Sequence, residues 1–484
     1  MRTLAALAVL LLVPAAGAEF GPYGTDGWPL AADGSSTNPF PGLSAGELDP
    51  LLAQALAGEP LNRVGGAAVY PYWPLLSAEV QRMAADHPDR VRLHPAGKST
   101  LGLDLWMLEV ADFSDIEAGH GLPLERREVV WVDGGTHSNE YSGVYFALAW
   151  AQFLVEAYGE DADATWIVQN RHTWVLPMVN PDGSHAMGRL NANGVNINRN
   201  YPVVWDGQGH DALMNNRGPA PASEAETQVT MAWSNRTMPD YYASIHCCGN
   251  LWLYPYGEAG VDPLDQEMLQ RVCDEAFADV RAACGPIWST IYPASGSSID
   301  TAYEHTGAVA FGYEMSGRDA VLLWGQPVTF SDVREQERES WAGLLHASLN
   351  VHRYGAYPVV TEVRTAGDRL VVTVRNDGLG VLDTAVVEMG DWFPLPTLQP
   401  SESARVAIQA PEASGDLNVH YRKRLMPAGA PATVTVPVVV GATAPEGGFA
   451  VAPPSLGAEA AVPSPGLGLL LLGLALLATR RRGA

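Results

Sequence analysis

The sequence sets a histidine and a glutamate three residues apart in His137-Ser138-Asn139-Glu140, where an apolar strand pattern gives way to a helical one. At a helix start this spacing puts both side chains on one face, a turn apart, so that an imidazole nitrogen and a carboxylate oxygen can reach one zinc ion. Alone the pair says little. Such a match arises about once by chance in a chain of this size, and it fits equally a solvated helix start with a glutamate at its positive end. A second histidine, His246, closes the strand-like run Asp240–Ile245. A third donor from a distant strand end is what a catalytic zinc needs, because three protein ligands leave the fourth position for water. Two neutral imidazoles and one carboxylate leave net positive charge on the ion, which lowers the pKa of that water. A lone histidine at a strand end is more often a packed polar group, so the triad needs support from the rest of the chain.

That support comes from order. VWVDGGTHSNE, VNPDG, NINRNYP, SIHCCGNLWLYPYG, IYPASGSSIDTAY and FGYEMSG follow one another along the chain. Over the stretch from Tyr70 to His352 they resemble the zinc metallocarboxypeptidases of the pancreatic carboxypeptidase type. The resemblance implies a mixed, mostly parallel eight-stranded sheet flanked by helices, one zinc ion per chain, and a site at the strand ends. Its zinc ligands fall on His137, Glu140 and His246, and its catalytic glutamate on Glu314. Such a glutamate takes a proton from the attacking water and passes it to the leaving amine, work worth about 10²–10⁴ in rate. The clamp on the substrate's free carboxylate falls on Arg199, whose planar fork suits a bidentate partner. Asn198 adds a donor beside it, and Tyr292 matches the mobile tyrosine that closes over the same group. Arg189 matches the arginine that holds the developing oxyanion. Ile299 matches the pocket-floor residue; an apolar floor favours apolar or aromatic side chains, since a basic one needs a carboxylate partner.

This sequence departs from that pattern in three places. Asn139 stands where the pancreatic members carry arginine, which bears on how longer peptides are held. Asn196 replaces the acid that orients a zinc histidine, although an amide oxygen can still accept the bond. Cys247-Cys248 follows the third ligand, and free thiolates there could take a wrong metal, which argues that they are bridged or turned away.

The elements that must position these residues are legible from periodicity. Helical patterns over Leu76–Ala85, Tyr141–Tyr158 and Glu224–Trp233 alternate with strand patterns at Val91–Leu93, Leu103–Val110, Arg127–Val132, Thr173–Val179 and Asp240–Ile245. The alternation predicts an α/β layer fold with a largely parallel sheet. Short alternating segments and turn signals over 356–440 predict a small all-β sandwich after a catalytic domain at 70–355. The chain holds 54 acidic against 29 basic residues, a net charge of −25. That argues against a nucleic-acid partner, which needs a basic surface.

The ends read differently. Residues 1–18 carry one early arginine, an apolar run and an Ala-Gly-Ala exit, the pattern of a secretory signal peptide. An irregular extension follows over 19–69. Residues 441–465 form a Pro/Gly/Ala linker, and 466–484 an apolar stretch with a basic end, too short for a comfortable membrane span. This tail is similar to the sorting tails of some exported bacterial proteins, and a permanent membrane or cell-surface anchor is its rival. Export also permits disulfides among Cys247, Cys248, Cys273 and Cys284. Pairing of Cys247 with Cys248 would close a strained ring. Cys273 and Cys284 flank a helical-looking stretch whose ends would lie ~16 Å apart, out of bridging reach unless the helix stops early. Four buried thiols remain the alternative.

The expectation is therefore an exported, monomeric zinc carboxypeptidase that acts on peptide or protein C-termini with apolar or aromatic last residues. The central loop over 183–198 is short, which also fits family members acting on bacterial cell-wall peptides, as carboxypeptidase or amidase. A non-catalytic surface binding protein with a degenerate site is the reading from another class.

Overall fold

Eight strands build the central sheet: β1 (Val91–Lys98), β2 (Asp104–Val110), β3 (Glu128–Gly134), β4 (Arg171–Leu176), β5 (Tyr241–Cys247), β6 (Leu251–Tyr254), β7 (Ala283–Pro286) and β8 (Val309–Met315). They are the frame of a computed structural model that describes residues 73–438 apart from 186–187, 212, 278–282, 317–329, 367, 411–413 and 424–430. The signal-like segment 1–18, the extension 19–69, the linker 441–465 and the tail 466–484 lie outside the described residues, and the expectations about export and attachment rest on them. Among the described residues no helix is long and apolar enough to cross a membrane.

The strand order is β1-β2-β4-β3-β5-β8-β6-β7. The pairs β4–β3, β3–β5, β5–β8 and β6–β7 are parallel, whereas β1–β2, β2–β4 and β8–β6 are antiparallel. The mixed, mostly parallel eight-stranded sheet is thus present. Its centre is fully covered: Val130, Trp131 and Val132 of β3 are buried, as are Tyr241, Tyr242, Ala243 and Ile245 of β5. Strands covered on both faces carry near-continuous apolar runs, which is why these segments read so clearly.

Helices flank the sheet: α1 (Trp73–Asp86), α2 (Tyr141–Glu156), α3 (Ala162–Asn170), α4 (Ala225–Thr237), α5 (Gln266–Ala276), α6 (Ser298–Thr306) and α7 (Arg338–Asn350). The α2 helix is apolar almost all round, with only Tyr141, Gln152 and Glu156 outside its buried set. Such a helix sits in a core rather than on a surface. Two glycines let it come close. A Cβ on Gly143 would lie 2.6 Å from the Ile245 carbonyl oxygen, and one on Gly134 would lie 2.2 Å from that of Gly143. A side chain at either place would push the start of α2 away from the ends of β3 and β5.

The segment 358–438 folds into two antiparallel sheets with their own apolar core. One has the order β13-β10-β9 and the other β12-β11-β14-β15, from β9 (Pro358–Ala366), β10 (Arg369–Asn376), β11 (Ala385–Met389), β12 (Asp391–Pro394), β13 (Ser403–Gln409), β14 (Gly415–Arg422) and β15 (Pro431–Val438). Leu370, Val372 and Val374 of β10 meet Val387, Leu417 and Val419 of the other sheet between them. The period of two puts alternate residues on one face, as a sandwich requires. This segment joins the larger body through Lys423, whose Nζ lies 2.9 Å from Asp240 Oδ1, and through Arg271, which donates to the Leu379 carbonyl at 2.8 Å.

The cysteines take one of the arrangements that the sequence left open. Cys273 and Cys284 are bridged, with Cα atoms 5.8 Å apart, because α5 ends at Ala276, soon after Cys273. Cys247 and Cys248 are bridged to each other, so no described cysteine is free.

Candidate metal centre

Four chain segments converge at the C-terminal ends of the central strands. After β3 the chain reverses at Gly135, which has a positive φ of 68°, and delivers His137. Glu140 sits at the N-cap of α2 but makes no side-chain capping bond, so its carboxylate is available for another task. His246 is near the end of β5, and Glu314 near the end of β8. The register pairs His246 with Glu314 directly, which sets them side by side on neighbouring parallel strands.

The donors face one another. His137 Nδ1 lies 2.8 Å from Glu140 Oε1, and His246 Nδ1 lies 3.0 Å from Glu140 Oε2 and 3.2 Å from His137 Nδ1. All three residues are buried. Donor atoms on the corners of a zinc tetrahedron with ~2.0–2.1 Å bonds stand ~3.3 Å apart, so this triangle needs only a slight opening to accept the ion. Each distal ring nitrogen is tied down. His137 Nε2 is 3.0 Å from Asn196 Oδ1, and His246 Nε2 is 3.2 Å from Ser244 Oγ. The Asn196 oxygen therefore takes up the partner position left by the missing acid.

The electrostatics suit a cation. Burial, with Arg189 and His246 adding to it, pushes the His137 imidazole down to about 3, so the ring is neutral, as a metal donor must be. Burial alone would raise Glu140, but the two histidines hold it well below the usual carboxylate range. His246 is raised because the carboxylates of Glu140, Glu314 and Asp133 outweigh its burial. That local demand for positive charge is what a divalent ion meets. Glu314 is pushed up to about 7 by burial and by the Glu140 charge, against the pull of His246, Arg189 and Arg199.

The remaining candidates take several positions. Arg199 is buried; its Nη1 donates to the Asn198 carbonyl at 2.8 Å and its Nε to the Gly209 carbonyl at 3.4 Å. Burial and the nearby Arg189 push its guanidinium pKa down, and Tyr292 and Glu314 oppose them. Asn198 is also buried, and its amide Nδ2 lies 3.4 Å from His246 Nε2. Tyr292 is 46% exposed, which leaves its ring room to move. Arg189 bonds Glu140 Oε1 at 2.8 Å, so its guanidinium is at the donor triangle itself. Ile299 lies in α6 and is buried; a Cβ on Gly312 of β8 would come 2.6 Å from its Cδ1. It therefore packs two residues from Glu314 along β8. Asp300 accepts from the Gly257 amide at 3.0 and 3.2 Å. Asn139 is exposed.

Sequence reasoning passed over several supporting residues. Asn191 Nδ2 donates to Glu224 Oε2 at 2.8 Å and to Glu226 Oε2 at 3.1 Å, which anchors the loop carrying Arg189. Asp133 accepts from Ser244 at 2.7 Å behind His246. A buried acid four residues before His137, inside an apolar strand, was the available signal.

A family model described as zinc carboxypeptidase matches residues 76–343. Mast cell carboxypeptidase A of Rattus norvegicus is 27% identical over 283 residues, covering 53% of this chain and 66% of the relative. Carboxypeptidase A1 of Sus scrofa is 28% identical over 293 residues, covering 54% and 65% respectively. The chain thus spans slightly less than two thirds of the length of these relatives. Among solved structures, thrombin activatable fibrinolysis inhibitor shares the fold, with a TM-score of 0.52 and 20% identity over 63% of this chain and 80% of its own. With the family model matching more than half of its length and a donor triangle that fits zinc, this chain belongs to the zinc carboxypeptidase family.

Proposed function

We propose that the protein is a zinc metallocarboxypeptidase that removes the C-terminal residue of peptides, with a preference for apolar or aromatic residues. The observation that carries this reading is the pairing of Glu314 with His246 across β8 and β5, beside three convergent buried donors. His137, Glu140 and His246 would hold the ion. Zinc, when bound, supplies a Lewis acid that polarises oxygen ligands and lowers the pKa of water.

The chain's own groups do the rest. Glu314 takes the proton of the attacking water and delivers it to the leaving amine nitrogen; a carboxyl raised to about 7 is matched to that exchange near neutral pH. Arg199, with Asn198, binds the terminal carboxylate, and its burial strengthens a charge-assisted pair by excluding water. An internal peptide bond offers no charge to Arg199, so cleavage proceeds one residue at a time. Arg189 stabilises the negative oxygen that develops on the scissile carbonyl, after leaving Glu140 for it. Tyr292 closes over the bound terminus. Ile299, packed on Gly312, gives the pocket for the last side chain an apolar floor. Export through residues 1–18, a monomeric state and surface attachment through residues 466–484 belong to the same proposal, on the sequence patterns of those segments and the acidic charge of the whole.

The test is a rate comparison with zinc-loaded protein. Phenylalanine should be released from hippuryl-Phe much faster than arginine from hippuryl-Arg, and the C-terminal amide of hippuryl-Phe should not be cleaved. Equal rates on the acid and the amide would mean that no carboxylate is recognised.

A further inference from the structure

Strands β3 and β5 carry a ladder of side chains on one face. Their parallel register pairs Trp131 with Tyr242 and Asp133 with Ser244. Alternate residues of a strand share a face, so His246 is the next rung after Ser244. Trp131 and Tyr242 stack, with ring centroids 5.7 Å apart and planes 7° from parallel. Asp133 Oδ2 accepts from Trp131 Nε1 at 2.8 Å, and Asp133 Oδ1 accepts from Ser244 Oγ at 2.7 Å. Ser244 Oγ in turn lies 3.2 Å from His246 Nε2. Asp133 and Ser244 are completely buried, and His246 is 2% exposed.

The protons along this row are not free to choose. A tryptophan N–H can only donate, which fixes Asp133 Oδ2 as acceptor. A serine has one hydroxyl proton, and Ser244 gives it to Asp133 Oδ1. The Ser244 oxygen then offers a lone pair to His246, so Nε2 must carry the ring proton. Nδ1, which faces His137 and Glu140, is left with its lone pair exposed to the donor triangle.

We propose that Asp133 and Ser244 are positioning residues that set His246 in its Nε2–H tautomer and thereby make Nδ1 a metal donor. The setting is contested. The Asn198 amide nitrogen lies 3.4 Å from the same Nε2, and its orientation is fixed because Asn198 Oδ1 accepts from the Ser298 amide at 3.0 Å. A donor there favours a bare Nε2 and a proton on Nδ1, which excludes the ion. The nearer Ser244 oxygen opposes it. His137 is set differently. Asn196 Nδ2 is held by the Met214 carbonyl at 3.1 Å and by Asn215 Oδ1 at 3.3 Å, so its oxygen faces His137 Nε2. That side leads on through Asn215 to the exposed carboxylate of Asp211, to which Asn215 Nδ2 donates at 2.6 Å, whereas the His246 side leads directly to a buried one.

The inference rests on the reading of His137, Glu140 and His246 as zinc donors, and the test separates the two. Zinc affinity of the apo protein is measured by competition with a chromophoric chelator, together with the unfolding temperature of each apo protein. Ser244→Ala removes the acceptor and should weaken zinc binding by about 10–100-fold. Ser244→Thr keeps a hydroxyl on a residue at home in a strand and should restore most of it. Asp133→Asn must give its amide oxygen to Trp131 and turn its NH₂ toward Ser244, which reverses the row; it should lose at least as much affinity as Ser244→Ala. A lesion that only loosened the strands would lower the apo unfolding temperature alike in Ser244→Ala and Ser244→Thr and would not be rescued by the hydroxyl. Unchanged affinity in Ser244→Ala, or an equal loss in Ser244→Thr, overturns the proposal. Wild-type protein that fails to bind one zinc overturns the donor reading itself, and this inference with it.

Discussion

Replacing Arg199 tests the carboxylate clamp most directly. The side chain is 2% exposed; it donates to the Asn198 carbonyl at 2.8 Å and the Gly209 carbonyl at 3.4 Å, and it is also hydrogen-bonded to Tyr292. None of these partners is a carboxylate, so the charge is available to a ligand. Hydrogen bonds to a charged group contribute about 1.5–3 kcal/mol each, and a bidentate carboxylate makes two, or about 3–6 kcal/mol. At ~1.4 kcal/mol per decade, Arg199→Ala should lower kcat/KM on hippuryl-Phe by about 10²–10⁴. Arg199→Lys keeps charge but not the fork and should fall between wild type and Arg199→Ala. Added guanidinium at millimolar concentration should recover part of the Arg199→Ala loss, because the substitution leaves a cavity of matching shape. Initial rates over a substrate series, with zinc content and unfolding temperature measured on each protein, give the answer. A loss of less than about tenfold in a folded, zinc-replete Arg199→Ala protein would refute the assignment.

Glu314→Gln should keep its zinc, because Glu314 lies outside the donor triangle, and should lose about 10²–10⁴ in kcat, measured by metal analysis beside steady-state rates. Ile299→Asp should turn the preference from hippuryl-Phe toward hippuryl-Arg, read as the ratio of kcat/KM values; an unchanged ratio would remove Ile299 from the pocket. Replacing both Cys273 and Cys284 by serine should cost about 3 kcal/mol of stability, the worth of closing so short a loop, measured by urea unfolding under non-reducing conditions. Burial, helped by Arg353, pushes His346 down to about 4, and burial, helped by Arg171, pushes His352 down to about 3, where its Nδ1 accepts from Arg171 at 3.0 Å. Both folded values lie below the ordinary imidazole value, so the unfolded chain takes up protons first as pH falls. The stability contributed by the neutral rings is complete above about 6.5 and should be lost progressively down to about 4 and 3, as urea midpoints across that window would record. His352→Gln should make that pH dependence shallower.

The legible parts of the fold were those with strong local patterning. Helix α2 and strands β2, β3 and β5 fall within a few residues of the sequence reading because continuous burial makes their apolar runs long. Strand β4 starts at Arg171 rather than Thr173 and ends at Leu176, before Val179. The arginine hides the start: its head is buried, with Nε donating to the Ser348 carbonyl at 2.7 Å. Strands β6 and β7 are short, and nothing in four residues distinguishes a strand from a loop. The bridge between Cys273 and Cys284 depended on where α5 stops, and helix ends are the least legible boundaries. At the site, the three donors that the structure brings together were visible by spacing and motif order. Asp133 and Ser244 were not, because a buried polar residue in an apolar strand is noticed only once the register shows what stands opposite.

The sandwich is fastened at Asp240, just before β5 begins, whereas the donor triangle forms where β5 ends. Seven residues of strand separate the two by ~20 Å. The molecule is thus built with a handle at one pole and a mouth at the other. Immobilising it on a resin, or fusing a bulky partner, through the surface around Trp392 should leave the approach of a peptide end unobstructed, and a bead-bound preparation should turn over substrate as the free protein does.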